Sequence, residues 1–340
     1  MYVITILAAA LSGFASWAAT RMLLETLRAH DVMDAPNERS SHGAPVPRGG
    51  GAGLIAIALL SWLVLGLFTG VLGQVWPVVA GGALIAVVSW FDDVRGLPAL
   101  PRFGAQVVAV VLVLALLPAD ALVFAGFLPL VVERILLALA WLWFVNLYNF
   151  MDGIDGMTGV ETVAVAGGAA IVVLVVAGAG GGDGSRAPMA AVLAGGAAGF
   201  LVLNWHPARV FIGDVGAVTL GFLVGYLLIW LAVQGGAWPA ALLLPAYYWA
   251  DATVTLIPRL VRREPVWQGH RRHAYQLAVR AGRSHAWVAG RVAILDMVLA
   301  ALALLSLEGG LLTWAALAAG AVITGLFLCY LRFQPGAETG

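Results

Sequence analysis

Eleven long apolar stretches dominate this chain and set what it can become. They run roughly over 3–20, 51–70, 75–91, 103–118, 131–149, 158–178, 187–205, 215–234, 237–257, 286–305 and 310–331. A bilayer crossing takes about 20 mostly apolar residues, and a helix satisfies all of its backbone hydrogen bonds internally. The expectation is an all-α polytopic membrane protein of about eleven transmembrane helices, one membrane domain over 1–340. Composition excludes a soluble enzyme: 62% of residues are hydrophobic and 11% charged, against about half and a quarter in soluble domains. The segment 121–132 is apolar but short, and reads as a re-entrant piece or a small hairpin.

Charge then gives direction. Sixteen of the eighteen arginines fall in, or at the ends of, the loops after spans 1, 3, 5, 7 and 9 and the tail; only Arg134 and Arg186 lie on the other side. The positive-inside rule makes the arginine-rich side cytoplasmic, with the N-terminus outside and the C-terminus inside. Arg21 and Arg28 follow the first span, the pattern of an anchor and not of a cleaved leader. All six histidines share the arginine-rich side. Positive-inside does not explain histidine, so this segregation points to a reaction site on the cytoplasmic face.

Several chemistries drop out. There is no lysine, hence no Schiff base or lysine nucleophile, and the single Cys329 excludes a disulfide framework. Lying in an apolar run, Cys329 reads as a buried, inert thiol. Basic and acidic residues balance at 18 each, so no net field attracts nucleic acid.

Five polar constellations interrupt the apolar pattern. In Asp34–His42 and Pro45–Gly51, Arg39, His42 and Arg48 stand on a Pro- and Gly-rich loop whose free N–H groups suit phosphate. Asp92 and Asp93 end span 3; the pair can bind Mg²⁺, supply a base, or simply stop a helix in solvent. In Asn146-Leu-Tyr-Asn149-Phe-Met-Asp152-Gly-Ile-Asp155, four polar residues recur every third position. Ideal helix geometry rotates such a row by about 180°, unless Gly153 and Gly156 unwind it onto one site. That row suits a hard cation, a ribose or a base edge.

The fourth, Asn204 through Phe211 to Gly213-Asp214-Val-Gly216, places an Asp near the start of a helix, where a metal-bound diphosphate fits. The fifth holds Arg259, Arg262, Arg263, His270, Arg271, Arg272 and His273, suited to phosphate and sugar contacts or to anionic lipid. Asp251, within span 9, reads as a site support or an internally paired acid; Asp296, deeper, has no assigned role.

Asp, Asn, Arg and His at one face point to an anionic substrate, a divalent cation and phosphoryl transfer. The pieces PNERSSH–PVPRGGG, FDD, NLYNFMDGIDG, NWHPARVFIGDVG and GHRRHAYQ, in this order, resemble the polyprenyl-phosphate N-acetylhexosamine-1-phosphate transferases. That family, glycosyltransferase family 4, includes the phospho-MurNAc-pentapeptide translocase, and the likeness is nearest to its O-antigen-initiating branch. HRRH differs from the consecutive histidines of other branches.

The resemblance implies a reaction of UDP-N-acetylhexosamine with undecaprenyl phosphate. It gives undecaprenyl-diphospho-sugar and UMP, the first step of O-antigen or other surface polysaccharide assembly, in a bacterial inner membrane. It also implies Mg²⁺, or Mn²⁺, on Asp214 with the acidic pair Asp92 and Asp93. Asn146, Asn149, Asp152, Asp155, Asn204 and Phe211 would form the nucleotide pocket. Arg39, His42, Arg48, His270, Arg271, Arg272 and His273 would hold phosphate and sugar. Membrane lipids are partners, nucleic acid is not, and a homodimer is compatible. The competing reading is a multi-span secondary transporter of an anionic solute, which would place its polar groups at mid-membrane.

Overall fold

The computed structural model describes residues 1–35, 45–124, 126–180, 182–233, 237–264 and 271–335. Thirteen α-helices follow in chain order: α1 Tyr2–Ala29, α2 Gly51–Phe68, α3 Leu72–Arg95, α4 Ala99–Leu116, α5 Leu130–Phe150, α6 Met157–Gly178, α7 Arg186–Asn204, α8 Gly213–Val233, α9 Trp238–Leu243, α10 Ala246–Val261, α11 Ala274–Arg280, α12 His285–Leu305 and α13 Gly310–Arg332. Two-residue strands, Met33–Asp34 and Val46–Pro47, pair antiparallel, where Pro and Gly preclude helix.

Among the described residues, ten helices are long and apolar enough to cross a bilayer. The remaining expected span, 237–257, is two shorter helices, α9 and α10, meeting at Leu244-Pro245. Pro245 lacks an N–H and disfavours helix at the residue before it, so the crossing is broken there. The chain is thus an all-α polytopic membrane protein with ten candidate spans among the described residues, and two shorter helices where an eleventh was expected. In the short segment 121–132, Glu133 Oε1 accepts from the Val123 N–H at 2.6 Å, which ties the segment to α5; among its described residues ahead of α5 there are bends and turns and no paired strands.

α8 lies at the centre, with 89% of its span buried, whereas α1 and α13 are at 22% and face outward. Cys329 is exposed on α13, which corrects the expectation of a buried thiol. An apolar run in a membrane helix faces lipid as readily as core, so hydrophobicity alone does not bury a residue. Glycine sets the closest packing. A Cβ on Gly199 of α7 would lie 1.9 Å from the Gly13 carbonyl oxygen of α1, the small-residue contact by which membrane helices approach. Buried tryptophans satisfy their N–H groups across helices: Trp62 to Met189 O and Trp141 to Phe222 O, each at 3.0 Å. Asp296 of α12 and Glu161 of α6 are both buried in the interior, and none of their four carboxyl oxygens has a hydrogen-bond partner among the described residues.

Candidate active site

The polar motifs gather at one end of the bundle because backbone pairing joins them. Phe211 N–H donates to Pro47 O at 2.8 Å, Gly50 N–H to Phe211 O at 2.9 Å and Gly51 N–H to Ile212 O at 2.9 Å. These bonds zip the segment before α2 to the segment before α8. Arg48 and Asp214 are thereby set side by side.

Asp93, at the end of α3, completes the arrangement. Its two oxygens accept the N–H groups of Asp214 and Val215, each at 2.9 Å, and Oδ1 also receives Arg48 Nε at 2.9 Å. Asp93 therefore caps α8 from another helix, satisfying donors that a helix start leaves free. Gly213 makes this approach feasible. It has φ 71°, and a Cβ there would lie 2.5 Å from Asp93 Oδ2. With both oxygens committed and its side chain fully buried, Asp93 organises the site. The two members of the acidic pair take different partners.

Asp92 and Asp214 face one cation. Arg102 Nη1 donates to Asp92 Oδ2 at 2.6 Å and to Asp214 Oδ2 at 3.0 Å. Arg48 Nη2 donates to Asp214 Oδ1 at 2.7 Å, and Asp92 Oδ1 accepts Leu97 N–H at 2.6 Å. Burial works against the Arg48 charge, but Asp93 and Asp214 outweigh it and raise its pKa. A cation position between two carboxylates thus exists already, filled by a guanidinium nitrogen. Its oxygen donors match Mg²⁺ or Mn²⁺. Arg102 was not singled out by sequence. The available signal was an arginine in the first turn of an otherwise apolar span, ten residues after Asp92.

The row 146–155 does unwind. α5 ends at Phe150 and α6 starts at Met157, with Gly156 at φ 79° between them. Asp152 and Asp155 lie in this loop. Thr158 Oγ1 donates to Asp152 Oδ1 at 2.7 Å. Burial pushes the Asp152 pKa up to about 7, against the opposing Thr158 bond and with Asp214 adding to the rise. Burial would also raise Asp155, but bonds with His285 and His206 outweigh it and hold Asp155 near 2. Asn149 is half-buried at the end of α5.

Four of the expected site residues have partners within the protein. Asn146 does not share the Asp152 face: its Nδ2 donates to Gln106 Oε1 at 2.9 Å and Leu142 O at 2.7 Å, tying α5 to α4. Asn204 accepts Gly156 N–H at 3.0 Å and donates to Val210 O at 2.9 Å. Its amide thereby staples two loops together. His273 is 1% exposed. It caps α11 in a reciprocal pair with Gln276, and its Nδ1 lies 3.6 Å from Asp251 Oδ1. A histidine enclosed this way supports the start of α11. Arg272 pairs with Glu264 at 2.9 Å on the surface.

Asp251 is internally paired, accepting Ala274 N–H at 2.9 Å and Thr255 Oγ1 at 3.2 Å. Arg271 precedes α11 and is half-buried, and Phe211 is half-buried at the junction of the zipped segments. Arg39, His42 and His270 lie outside the described residues. Sequence reading also passed over His206 and His285 as individual residues, although both contact Asp155. Their signal was side-specific histidine with no charge rule to explain it.

Comparison with known proteins agrees with this geometry. Residues 75–232 match the model of Glycosyl transferase family 4. A Bacillus subtilis protein described as a probable undecaprenyl-phosphate N-acetylglucosaminyl 1-phosphate transferase is 26% identical over 273 residues, 75% of this chain and 71% of that protein. The decaprenyl-phosphate N-acetylglucosaminephosphotransferase of Mycolicibacterium smegmatis is 33% identical over 56% of this chain, which spans about half (51%) of that protein's length. A phospho-N-acetylmuramoyl-pentapeptide-transferase of Moorella thermoacetica is 40% identical over 84 residues, a quarter of each chain. The match reaches from the first turn of α3 to the end of α8, and so contains Asp92, Asp93, Asp152, Asp155 and Asp214; over this stretch, somewhat under half of its length, the chain is similar to glycosyl transferase family 4.

Proposed function

We propose that this protein transfers a sugar-1-phosphate from a UDP-N-acetylhexosamine to undecaprenyl phosphate, releasing UMP. The observation that carries this reading is the pair Asp92 and Asp214 held around one cationic position, with Arg48 and Arg102 beside it, at the end of a membrane bundle. A soluble diphosphate and a lipid phosphate are both anions that meet at a bilayer surface, and phosphoryl transfer between them needs positioning and charge neutralisation.

Asp214 and Asp92 would hold Mg²⁺ or Mn²⁺, which supplies charge neutralisation at the diphosphate. Arg48 and Arg102 bind phosphate oxygens with planar, multi-donor guanidinium groups. Asp93 keeps the Asp214 turn in place through the α8 cap. Asp152 and Asp155, on the loop beside the carboxylates, orient the nucleotide. An oxygen of the lipid phosphate forms a bond to the sugar-side phosphorus, the bond from that phosphorus to the UMP oxygen breaks, and UMP carries away the electron pair. The lipid phosphate has its second pKa near 6 and needs little help from a base at neutral pH.

Arginine asymmetry supports a cytoplasmic site with the N-terminus outside. In a Cys329→Ser background, Gly182→Cys should label from outside and Gly269→Cys should not; the reverse would overturn this orientation. The reading extends to the first step of O-antigen-type surface polysaccharide assembly, in a bacterial inner membrane. A panel of UDP-sugars with mass spectrometry of the lipid product tests the substrate. A polyprenyl-diphospho-N-acetylhexosamine is expected. Solute uptake into vesicles with no lipid product would favour the transporter reading instead.

A further inference from the structure

Asp155, His206 and His285 reach one point from three separate segments: the α5–α6 loop, the loop after α7 and the start of α12. His206 Nδ1 lies 2.6 Å from Asp155 Oδ2. His285 Nδ1 lies 3.3 Å from Asp155 Oδ1 and, at the same distance, accepts the backbone N–H of Asp155. One ligand atom from each residue falls within 4.8 Å of the other two. The two imidazole rings stand 4.9 Å apart, tilted by 50°.

His285 Nδ1 meets a carboxylate oxygen and a backbone N–H at the same distance, and a proton or a metal ion on that nitrogen would each satisfy the carboxylate. For a metal ion, the donor chemistry is selective: two imidazoles and one carboxylate suit zinc and its neighbours, whereas Mg²⁺ prefers oxygen alone. Ala208 N–H donates to Asp155 Oδ2 at 3.1 Å, the kind of outer contact that orients a ligating carboxylate. Asp155 and His285 are enclosed, while the His206 side chain is 38% exposed, so an ion can enter from that side and keep an open position.

We propose that Asp155, His206 and His285 form a three-ligand transition-metal site, selective for Zn²⁺-like ions and separate from the Asp92–Asp214 cation position. Such an ion fastens the α5–α6 loop, the α7–α8 loop and α12 to one another. The site shares Asp155 with the nucleotide-orienting loop proposed above, and its test reads metal binding and not transfer.

The test is Co²⁺ titration of the full-length, chelator-stripped protein in detergent, followed by visible absorption and thermal unfolding. One Co²⁺ per chain with the intense ligand-field absorption of a low-coordinate site is expected, displaced by Zn²⁺ and unmoved by excess Mg²⁺. Binding should raise the unfolding temperature, since a ligand held only by the folded state stabilises it. His206→Ala should weaken Co²⁺ binding at least tenfold, and its partly exposed position keeps it usable if His285→Ala does not fold. Asp214→Asn should leave Co²⁺ binding intact, which separates this site from the proposed catalytic one. No stoichiometric Co²⁺ in the wild type, or unchanged binding in His206→Ala, would overturn the proposal and show a hydrogen-bond network only.

Discussion

Asp93 holds the first turn of α8 by two backbone N–H groups, one of them belonging to Asp214. A carboxylate of one transmembrane helix thus fixes the orientation of a carboxylate on another. The adjacent residue, Asp92, points instead to Arg102. Successive positions on a helix point about 100° apart, so neighbours in sequence take different partners.

Asp93→Ala should therefore act first on stability. Loss of a helix cap costs about 1–2 kcal/mol, and turnover should fall with it, at all pH values between 6 and 8. Asp214→Asn should keep the fold while abolishing turnover. Thermal unfolding and initial rates on the two variants make the comparison. A pH-dependent defect in Asp93→Asn that eases toward pH 8 would instead assign Asp93 the role of a base.

Arg102 stands where the cation would, so its removal should have opposed effects. Arg102→Ala should bind Mg²⁺ more tightly, since the competing guanidinium is gone, yet turn over at least about tenfold more slowly for want of a phosphate contact. Metal titrations of activity read both. Weaker Mg²⁺ dependence in this variant would place the cation elsewhere.

Metal removal gives a simpler expectation. Activity should vanish with EDTA and return with Mg²⁺ or Mn²⁺, because Asp92 and Asp214 offer oxygen ligands only. Full activity after rigorous chelation would remove the assigned cation.

The two loop carboxylates should respond to pH in opposite senses. Asp152 titrates near 7 in the folded protein, above its ordinary 3.8. Its stabilising contribution is complete below about 4 and is lost as pH rises through about 7. Asp152→Asn should flatten that slope in unfolding temperature between pH 5 and 8. Asp155 lies near 2, below the same ordinary value. Its contribution is present above about 4 and is lost as pH falls toward 2, so it should leave the slope between pH 5 and 8 unchanged.

Much of this was legible in the sequence, for identifiable reasons. Span positions follow from apolar length, and the gathering of motifs at one end follows from counting spans. The break between Asn149 and Asp155 follows from Gly153 and Gly156. What was not legible depends on which side chain meets which. Asn146, Asn204 and His273 carry the residue types of a binding pocket, yet each spends its hydrogen bonds on protein partners. Arg102 and His285 carry the types of an ordinary helix start, yet both turn inward to carboxylates. Composition cannot separate these cases, because the deciding partners lie far away in sequence. The divided ninth span was hidden for a different reason: α9 and α10 are both apolar, and hydropathy alone does not register a break at Pro245.

The central claim is that the sugar-side phosphate moves with the sugar. The direct measurement is transfer from UDP-N-acetylglucosamine labelled separately in its two phosphates, with undecaprenyl phosphate and Mg²⁺. The account predicts that the sugar-side label enters the lipid while the uridine-side label leaves as UMP, and that Asp214→Asn does neither. Release of both labels together as UDP, with only the sugar on the lipid, would contradict it.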